Sequence, residues 1–350
     1  MSKLTKFTKI GQYRNVIKAI TDRAKYKGQD ENDNPIYDES AEMPVVAFKG
    51  TVKLHGTNAS VCQSSDGNIW YQSRKNVITP TSDNAGFATF AESNKEVFEG
   101  FLNDIRDDYY EKDSKLTIGI FGEWCGGGIQ KGVAINGLEK MFVVFAVKII
   151  DEEDDENNFY LSEAYWPEVK SPEHKIYNIH DYSSKFLMID FANPAMVQNQ
   201  LVKYTEEVER ECPVGKAFGS SGIGEGLVWV GYYEGDRYVF KTKGEKHSVS
   251  KVKTVASVDV EKLKSIDEFV KYSVTVNRLE QAIEQVFTIE NIEPDRKKTG
   301  DYLRWIVNDI ISEELDTLVG NGLEPKDVNG AISKEARKWF FKFLDEMVGL

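Results

Sequence analysis

Near residue 255 the chain changes its hydrophobic period, and a sequence with two periods needs two kinds of layer packing. Before that point short runs rich in Val, Ile, Phe and Tyr alternate with turn signals. After it, apolar residues recur at helical spacing. The runs 45–53, 59–63, 69–74, 116–121, 141–150, 226–233 and 238–243 predict strands, with Ser65-Asp66-Gly67 and Glu234-Gly235-Asp236 as hairpin turns. Phe90, Val97, Phe98, Phe101 and Ile105 predict one long amphipathic helix over 87–110. Further helices are predicted over 265–286, opened by the capping box of Ser265 and Glu268, then over 301–319 and 333–347, with Gly320-Asn321-Gly322 between the last two. The expected architecture is α+β, with an antiparallel-sheet domain over 1–250 and a small all-helical domain over 251–350. A chain of 350 residues corresponds to about two domains, so each part can bury a core.

Charge narrows the partners. The 44 Lys and Arg residues against 57 Asp and Glu leave a formal net charge of −13, which excludes a protein that coats polyanions at large. Any contact with nucleic acid must come from a local group of cations. No apolar run approaches the roughly 18 residues of a membrane span, and residues 1–14 lack the pattern of a secretory signal. A cytoplasmic protein without a membrane partner is expected. Cys62, Cys125 and Cys212 are widely spaced without a C-x-x-C pair, which predicts buried thiols rather than disulfides or zinc. The acidic run 151–156 predicts a solvated loop, because six neighbouring carboxylates repel one another.

Several segments carry chemistry. Lys53-Leu54-His55-Gly56-Thr57-Asn58 joins two predicted strands, so a sharp turn would hold a lysine amine at a pocket mouth. A lysine amine becomes a covalent nucleophile only after losing its proton, which neighbouring cations, a metal or desolvation favour. In Phe240-Lys241-Thr242-Lys243 strand alternation puts both lysines on one face, a pairing suited to phosphate or to a solvated edge. Glu225 before Gly226-Leu227-Val228, and Glu123 after Phe121-Gly122, are strand-end carboxylates that could together serve a divalent metal and a ribose hydroxyl. Gly126-Gly127-Gly128-Ile129-Gln130-Lys131 lacks the spacing of a P-loop. His55, His174, His180 and His247 lack the spacing of zinc ligands. A G-x-G-x-x-G after a strand and a G-x-S-x-G elbow are both missing.

In order, Lys53-x-His55-Gly56-x-Asn58, Ser73-Arg74, Phe121-Gly122-Glu123, Phe142-Val143-Val144-Phe145, Glu225-Gly226-Leu227-Val228 and Lys241-x-Lys243 resemble the successive motifs of the covalent nucleotidyltransferases. His55 and Asn58, Gly128-Ile129-Gln130-Lys131 and Thr275-Val276-Asn277-Arg278-Leu279 are similar to the RNA ligase 2 family of phage nick-sealing enzymes and RNA-editing ligases. The resemblance implies an ATP-grasp-like nucleotidyltransferase domain followed by a helical domain, and an ATP-dependent RNA ligase sealing 3′-hydroxyl and 5′-phosphate ends, preferably at nicks in duplex RNA. It implies that Lys53 carries AMP and that Phe145 stacks on adenine. Glu123 would take the ribose hydroxyl, and Glu225 would serve the nucleophile and a Mg²⁺ ion, with Mn²⁺ able to substitute. Lys241 and Lys243 would face the α-phosphate, and His55 would act near the phosphate in transfer. Asn58 and Arg74 would hold the RNA 5′-phosphate or its AMP adduct. Apart from the resemblance, the basic cluster that contains Lys246, Lys251 and Lys253 is the candidate for further nucleic-acid contact. The expected protein is a monomer. A ligase preferring DNA or single-stranded ends, a capping guanylyltransferase and a catalytically silent nucleotide- or RNA-binding module are the alternatives. Val52 and Ala146 depart from the family's usual Glu and Asp, which bears on nucleotide positioning rather than on the chemistry.

Overall fold

The computed structural model describes residues 4–109, 115–244, 246, 266–289, 292–320 and 323–347. Its elements are α1 (Tyr13–Lys25), β1 (Tyr26–Gln29), β2 (Pro35–Tyr37), β3 (Val45–Lys53), β4 (Thr57–Gln63), β5 (Ile69–Ser73), β6 (Val77–Ile78), α2 (Phe87–Ser93), α3 (Lys95–Tyr109), β7 (Leu116–Cys125), β8 (Met141–Asp151), β9 (Phe159–Tyr160), β10 (Ile176–Asn178), β11 (Lys185–Asp190), α4 (Gln198–Arg210), α5 (Pro213–Ala217), β12 (Gly226–Tyr233), β13 (Asp236–Lys243), α6 (Ile266–Ser273), α7 (Val276–Ile283), α8 (Thr299–Gly320) and α9 (Pro325–Met347). The chain divides into two units: Met1–Pro194 with Lys203–Thr242, and Ala195–Val202 with Lys243–Leu350. The expected boundary between 250 and 251 lies outside the described residues.

The first unit holds two main sheets and the small β1–β2 ribbon. One sheet runs β10-β8-β7-β4-β5-β6 with β9 added to β8, and the other runs β11-β3-β12-β13. In the larger sheet the pairs from β8 to β6 and the pair of β8 with β9 are antiparallel, while Ile176 to Asn178 of β10 run parallel to Phe142 to Val144 of β8. In the smaller sheet β11 and β12 both flank β3 in antiparallel register. The face of the larger sheet carrying Ala59, Val61, Ile118, Ile120, Phe142 and Val144 is covered by Phe87, Ala91, Phe98 and Leu102 of α2 and α3. Burying such a face supplies most of the driving force for the layer, at roughly 25 cal/mol per Å² of apolar surface. On the smaller sheet Trp229, Phe240 and Phe48 pack with Tyr13 of α1, with ring centroids 4.9 Å apart for Tyr13 and Phe240.

In the second unit α6 to α9 bury Phe269, Leu279, Phe287, Tyr302, Ile306, Ile332 and Phe340. Arg278 is fully buried there; its Nη1 donates to the Ser273 carbonyl at 2.8 Å, its Nη2 to Glu314 Oε1 at 3.3 Å, and its Nε lies 3.0 Å from Asp309 Oδ2. Glu314 sits at a kink inside α8.

Local chemistry corrects three predicted boundaries. The helix expected over 87–110 is two helices, because Asn94 leaves helical geometry and its side-chain amide bonds the Phe90 carbonyl at 2.9 Å. The helix expected over 265–286 breaks at Val274-Thr275, where the Thr275 hydroxyl accepts the Arg278 N–H and caps α7; Ser265 lies outside the described residues. The last helix begins at Pro325 rather than 333, in keeping with the preference of proline for a first helical position. The acidic run is also more than a solvated loop. Asp151 ends β8, and Glu152 accepts from Ser65 N–H, Ser65 Oγ and Thr117 Oγ1 at 2.8 to 2.9 Å, tying the β4–β5 turn to β7.

Candidate active site

Lys53 is the last residue of β3 and pairs with Gly226, the first of β12, so Glu225 is delivered beside it. Lys53 Nζ donates to Glu225 Oε2 at 2.6 Å, and His55 Nδ1 lies 3.3 Å from the same oxygen. Glu225 is only 2% exposed. A carboxylate this deep is tolerable because the Lys53 amine donates to it and the His55 ring nitrogen stands close by.

The turn that presents these groups needs glycine at position 56. A Cβ there would stand 2.4 Å from the Trp124 carbonyl oxygen and 2.7 Å from Cys125 Cβ. This close approach lets the Gly56 N–H donate to Glu123 Oε1 at 3.0 Å, while its carbonyl accepts from Gln130 Nε2 at 3.3 Å. Gln130 is buried, and its Oε1 has no hydrogen-bond partner among the described residues. Gly126 holds φ +86° against the Glu139 carbonyl, a conformation L side chains rarely adopt, and so lets the loop fold back to place Gln130. Burial pushes the Glu123 carboxyl up to about 7; Lys53, the Gly56 N–H and His55 pull it down, and the charge on Glu225 adds to the rise.

Register sets the rest of the surface. Asn58 on β4 pairs directly with Glu123 on β7. Between Phe121 and Gly122 the β7–β8 register slips, so Ala146 and Val144 are paired and Phe145 is the extra residue of a bulge. The bulge explains why Phe142 and Val144 on one side, and Val147 and Ile149 on the other, all join the buried core while Phe145 is only half-buried. Phe7 from the N-terminal segment meets Phe145 edge-on, with centroids 5.1 Å apart, and also contacts Phe121 at 5.4 Å. That segment is tied across the sheet by the Thr5 N–H bond to Gln72 Oε1 at 3.0 Å and by the Thr8 N–H bond to the Tyr160 hydroxyl at 2.9 Å. It reaches β13 where the Lys241 N–H donates to the Gly11 carbonyl at 3.1 Å.

Strand alternation puts Lys241 and Lys243 on one face of β13. Thr242 points to the other, where its Oγ1 accepts from Thr205 Oγ1 at 2.7 Å and Trp229 Nε1 at 3.2 Å. Thus Lys53, His55, Glu225 and, through Gly56, Glu123 are brought together, with Asn58 beside Glu123. Arg74 is exposed at the end of β5, and Lys246 is exposed in a turn. Lys251 and Lys253 lie outside the described residues. Sequence patterning does not reveal Phe7 or the segment around it, because an isolated aromatic before α1 has no period to announce it. The three cysteines are free and buried, as expected.

Among the described residues no group of three or more His, Cys, Asp or Glu side chains could by itself hold a metal ion. Glu225 and Glu123 offer hard oxygen donors, which suits Mg²⁺ or Mn²⁺ only when phosphate oxygens complete the coordination. No helix among the described residues is long and apolar enough to cross a membrane.

A family model described as RNA ligase matches residues 47–253. Among solved structures the chain is similar to a mutant of the Naegleria gruberi RNA ligase with ATP and Mn, at 19% identity and TM-score 0.42, covering 68% of this chain and 56% of that one. The same enzyme with PPi matches at 20% identity and TM-score 0.41, covering 69% and 56%. The chain therefore spans just over half the length of these proteins. No curated protein matches it.

Proposed function

Because the chain belongs to the RNA ligase family, we propose that it is an ATP-dependent RNA ligase that joins 3′-hydroxyl to 5′-phosphate ends, preferably at nicks in duplex RNA. The observation that carries this reading is the pairing of Lys53 with the buried Glu225, shared with His55. In the first step the Lys53 amine, once it has shed a proton, attacks the α-phosphorus of ATP; a P–N bond forms and the bond to pyrophosphate breaks. In the second, a 5′-phosphate oxygen of the RNA displaces the lysine, regenerating the amine and leaving an AMP-capped end. In the third, the 3′-hydroxyl attacks the 5′-phosphorus, loses its proton and expels AMP. Splitting one condensation into displacements with good leaving groups is the gain from covalent catalysis.

Glu225, 2.6 Å from Lys53, accepts the hydrogen bond that orients the amine, and its departure from that bond accompanies attack. Phe145 stacks on the adenine, a role that its half-buried position at the bulge supports. Glu123 takes the ribose hydroxyl, Lys241 and Lys243 neutralise the α-phosphate, and Asn58 with Arg74 receives the RNA 5′-phosphate. Mg²⁺, or Mn²⁺ in its place, would be held by Glu225 and the phosphates and would neutralise charge on the transferring group.

The test is incubation with α-labelled ATP and Mg²⁺, followed by a denaturing gel, with Lys53→Ala alongside. A covalent label absent from the variant supports the reading. No label on wild-type protein after excess pyrophosphate has stripped any bound AMP would favour a silent binding module instead.

A further inference from the structure

β13 is the edge strand of the smaller sheet, and the N-terminal segment covers only part of that edge. Gly11 lies in a parallel bridge with Phe240 and accepts the Lys241 N–H, but by Thr8 the segment has turned away to bond the Tyr160 hydroxyl. The divergence leaves a cavity of about 250 Å³, lined among others by Thr8, Lys9, Asn15, Tyr160, Arg237 and Val239. Since Lys241 turns its N–H to this edge, alternation turns the N–H of Val239 to the same edge. Arg237 lies with its guanidinium carbon 4.4 Å from the centre of the Tyr160 ring and forms no ion pair with a carboxylate among the described residues. Glu163, whose charge reaches Arg237, bonds Lys49 at 3.3 Å. Burial lowers the pKa of the half-buried Arg237 from its ordinary value, while its hydrogen bond to Tyr232 and the charge on Glu163 offset part of that fall.

We propose that this edge cavity is a phosphate-binding site, with the Arg237 guanidinium as its cation and the Thr8 hydroxyl and the Val239 N–H as flanking donors. An arginine fork recognises phosphate oxygens through paired hydrogen bonds, and a desolvated one gains most from an arriving anion. The site is separate from the lysines assigned to ATP. Arg237 shares a strand face with Lys241 but lies four residues away, about 13 Å along the strand. Two sources offer the same chemistry: free phosphate and a backbone phosphate of the RNA.

Three proteins decide the matter: wild type, Arg237→Met, which keeps an apolar stem over Tyr160, and Thr8→Val, which removes the exposed hydroxyl that bonds the Tyr160 hydroxyl at 2.9 Å. Inorganic phosphate is titrated into each by calorimetry, and a short single-stranded RNA is bound across a range of salt concentrations. A free-phosphate site predicts at least tenfold weaker phosphate binding in Arg237→Met and about threefold in Thr8→Val. An RNA-phosphate site predicts instead that the magnitude of the slope of log affinity against log salt falls by about 0.7 in Arg237→Met, the loss of one phosphate contact. Lys53 labelling by ATP is retained in either case. Unchanged phosphate and RNA binding in a folded Arg237→Met protein overturns the proposal and leaves Arg237 as a packing cation. Loss of Lys53 labelling along with phosphate binding overturns the separateness of the site. If Arg237→Met does not fold, Thr8→Val carries the same comparison, and equal phosphate and RNA binding there overturns the proposal.

Discussion

Replacing Glu123 by Gln should stabilise the protein at alkaline pH and leave it unchanged in acid. In the folded state burial raises this carboxyl from 4.5 to about 7, against the pull of Lys53 and the Gly56 N–H. Below pH 4.5 the carboxyl is protonated in folded and unfolded chains alike and contributes no difference. Between 4.5 and 7 the unfolded chain has released a proton that the folded chain retains, so rising pH favours unfolding; above 7 both are ionised and the loss is complete. At 1.36 kcal/mol per pH unit, the interval from 4.5 to about 7 corresponds to about 3 kcal/mol. Glutamine has no proton to lose, and its amide oxygen can still accept the Gly56 N–H. Urea denaturation of nucleotide-free protein at pH 4, 6 and 8 should therefore show the variant gaining about 3 kcal/mol on wild type between pH 4 and 8. A difference that stays flat with pH, or that grows in favour of wild type as pH rises, would refute the assignment of a desolvated carboxyl at this position.

Other substitutions test the remaining parts of the site and the helical unit. Phe145→Ala removes the ring proposed to stack on adenine, and loss of such a surface typically costs about 1–3 kcal/mol per base, so the KM for ATP should rise about tenfold with kcat little changed; steady-state adenylation kinetics check this, and an unchanged KM removes Phe145 from the nucleotide site. Gly56→Ala forces a Cβ onto the Trp124 carbonyl at 2.4 Å and should abolish Lys53 labelling, read on the same gel as the Lys53→Ala control. Arg278→Met leaves Glu314 buried without its cation and should destabilise the helical unit by about 3–5 kcal/mol, measured by chemical denaturation.

Much of the site is legible in the sequence because its motifs are short and local. Lys53, His55 and Gly56 lie at one strand-to-strand turn, and Glu225 stands directly before the strand that pairs with Lys53, so turn chemistry marks them as candidates and the ordered family motifs single them out. Phe145 emerges from the family resemblance, yet its orientation follows from the bulge opposite Phe121 and Gly122, which no alternation of apolar residues discloses. The break at Asn94 and the early start at Pro325 are written in residue types, as a side chain competing for a carbonyl and a proline suited to a first turn, but the helical period of the neighbouring apolar residues masks both.

The sequence by itself determined the strand and helix periods, the turns at Gly67 and Gly235, and the order of the chemical motifs, since each depends on interactions within a few residues. Only the tertiary structure decided that the Gly56 turn fits against Trp124, that Gln130 reaches the Gly56 carbonyl, and that Phe7 lies on Phe145. Those contacts join residues 68 to 138 positions apart, and their geometry is set by sheet register and steric fit rather than by any local preference of the chain.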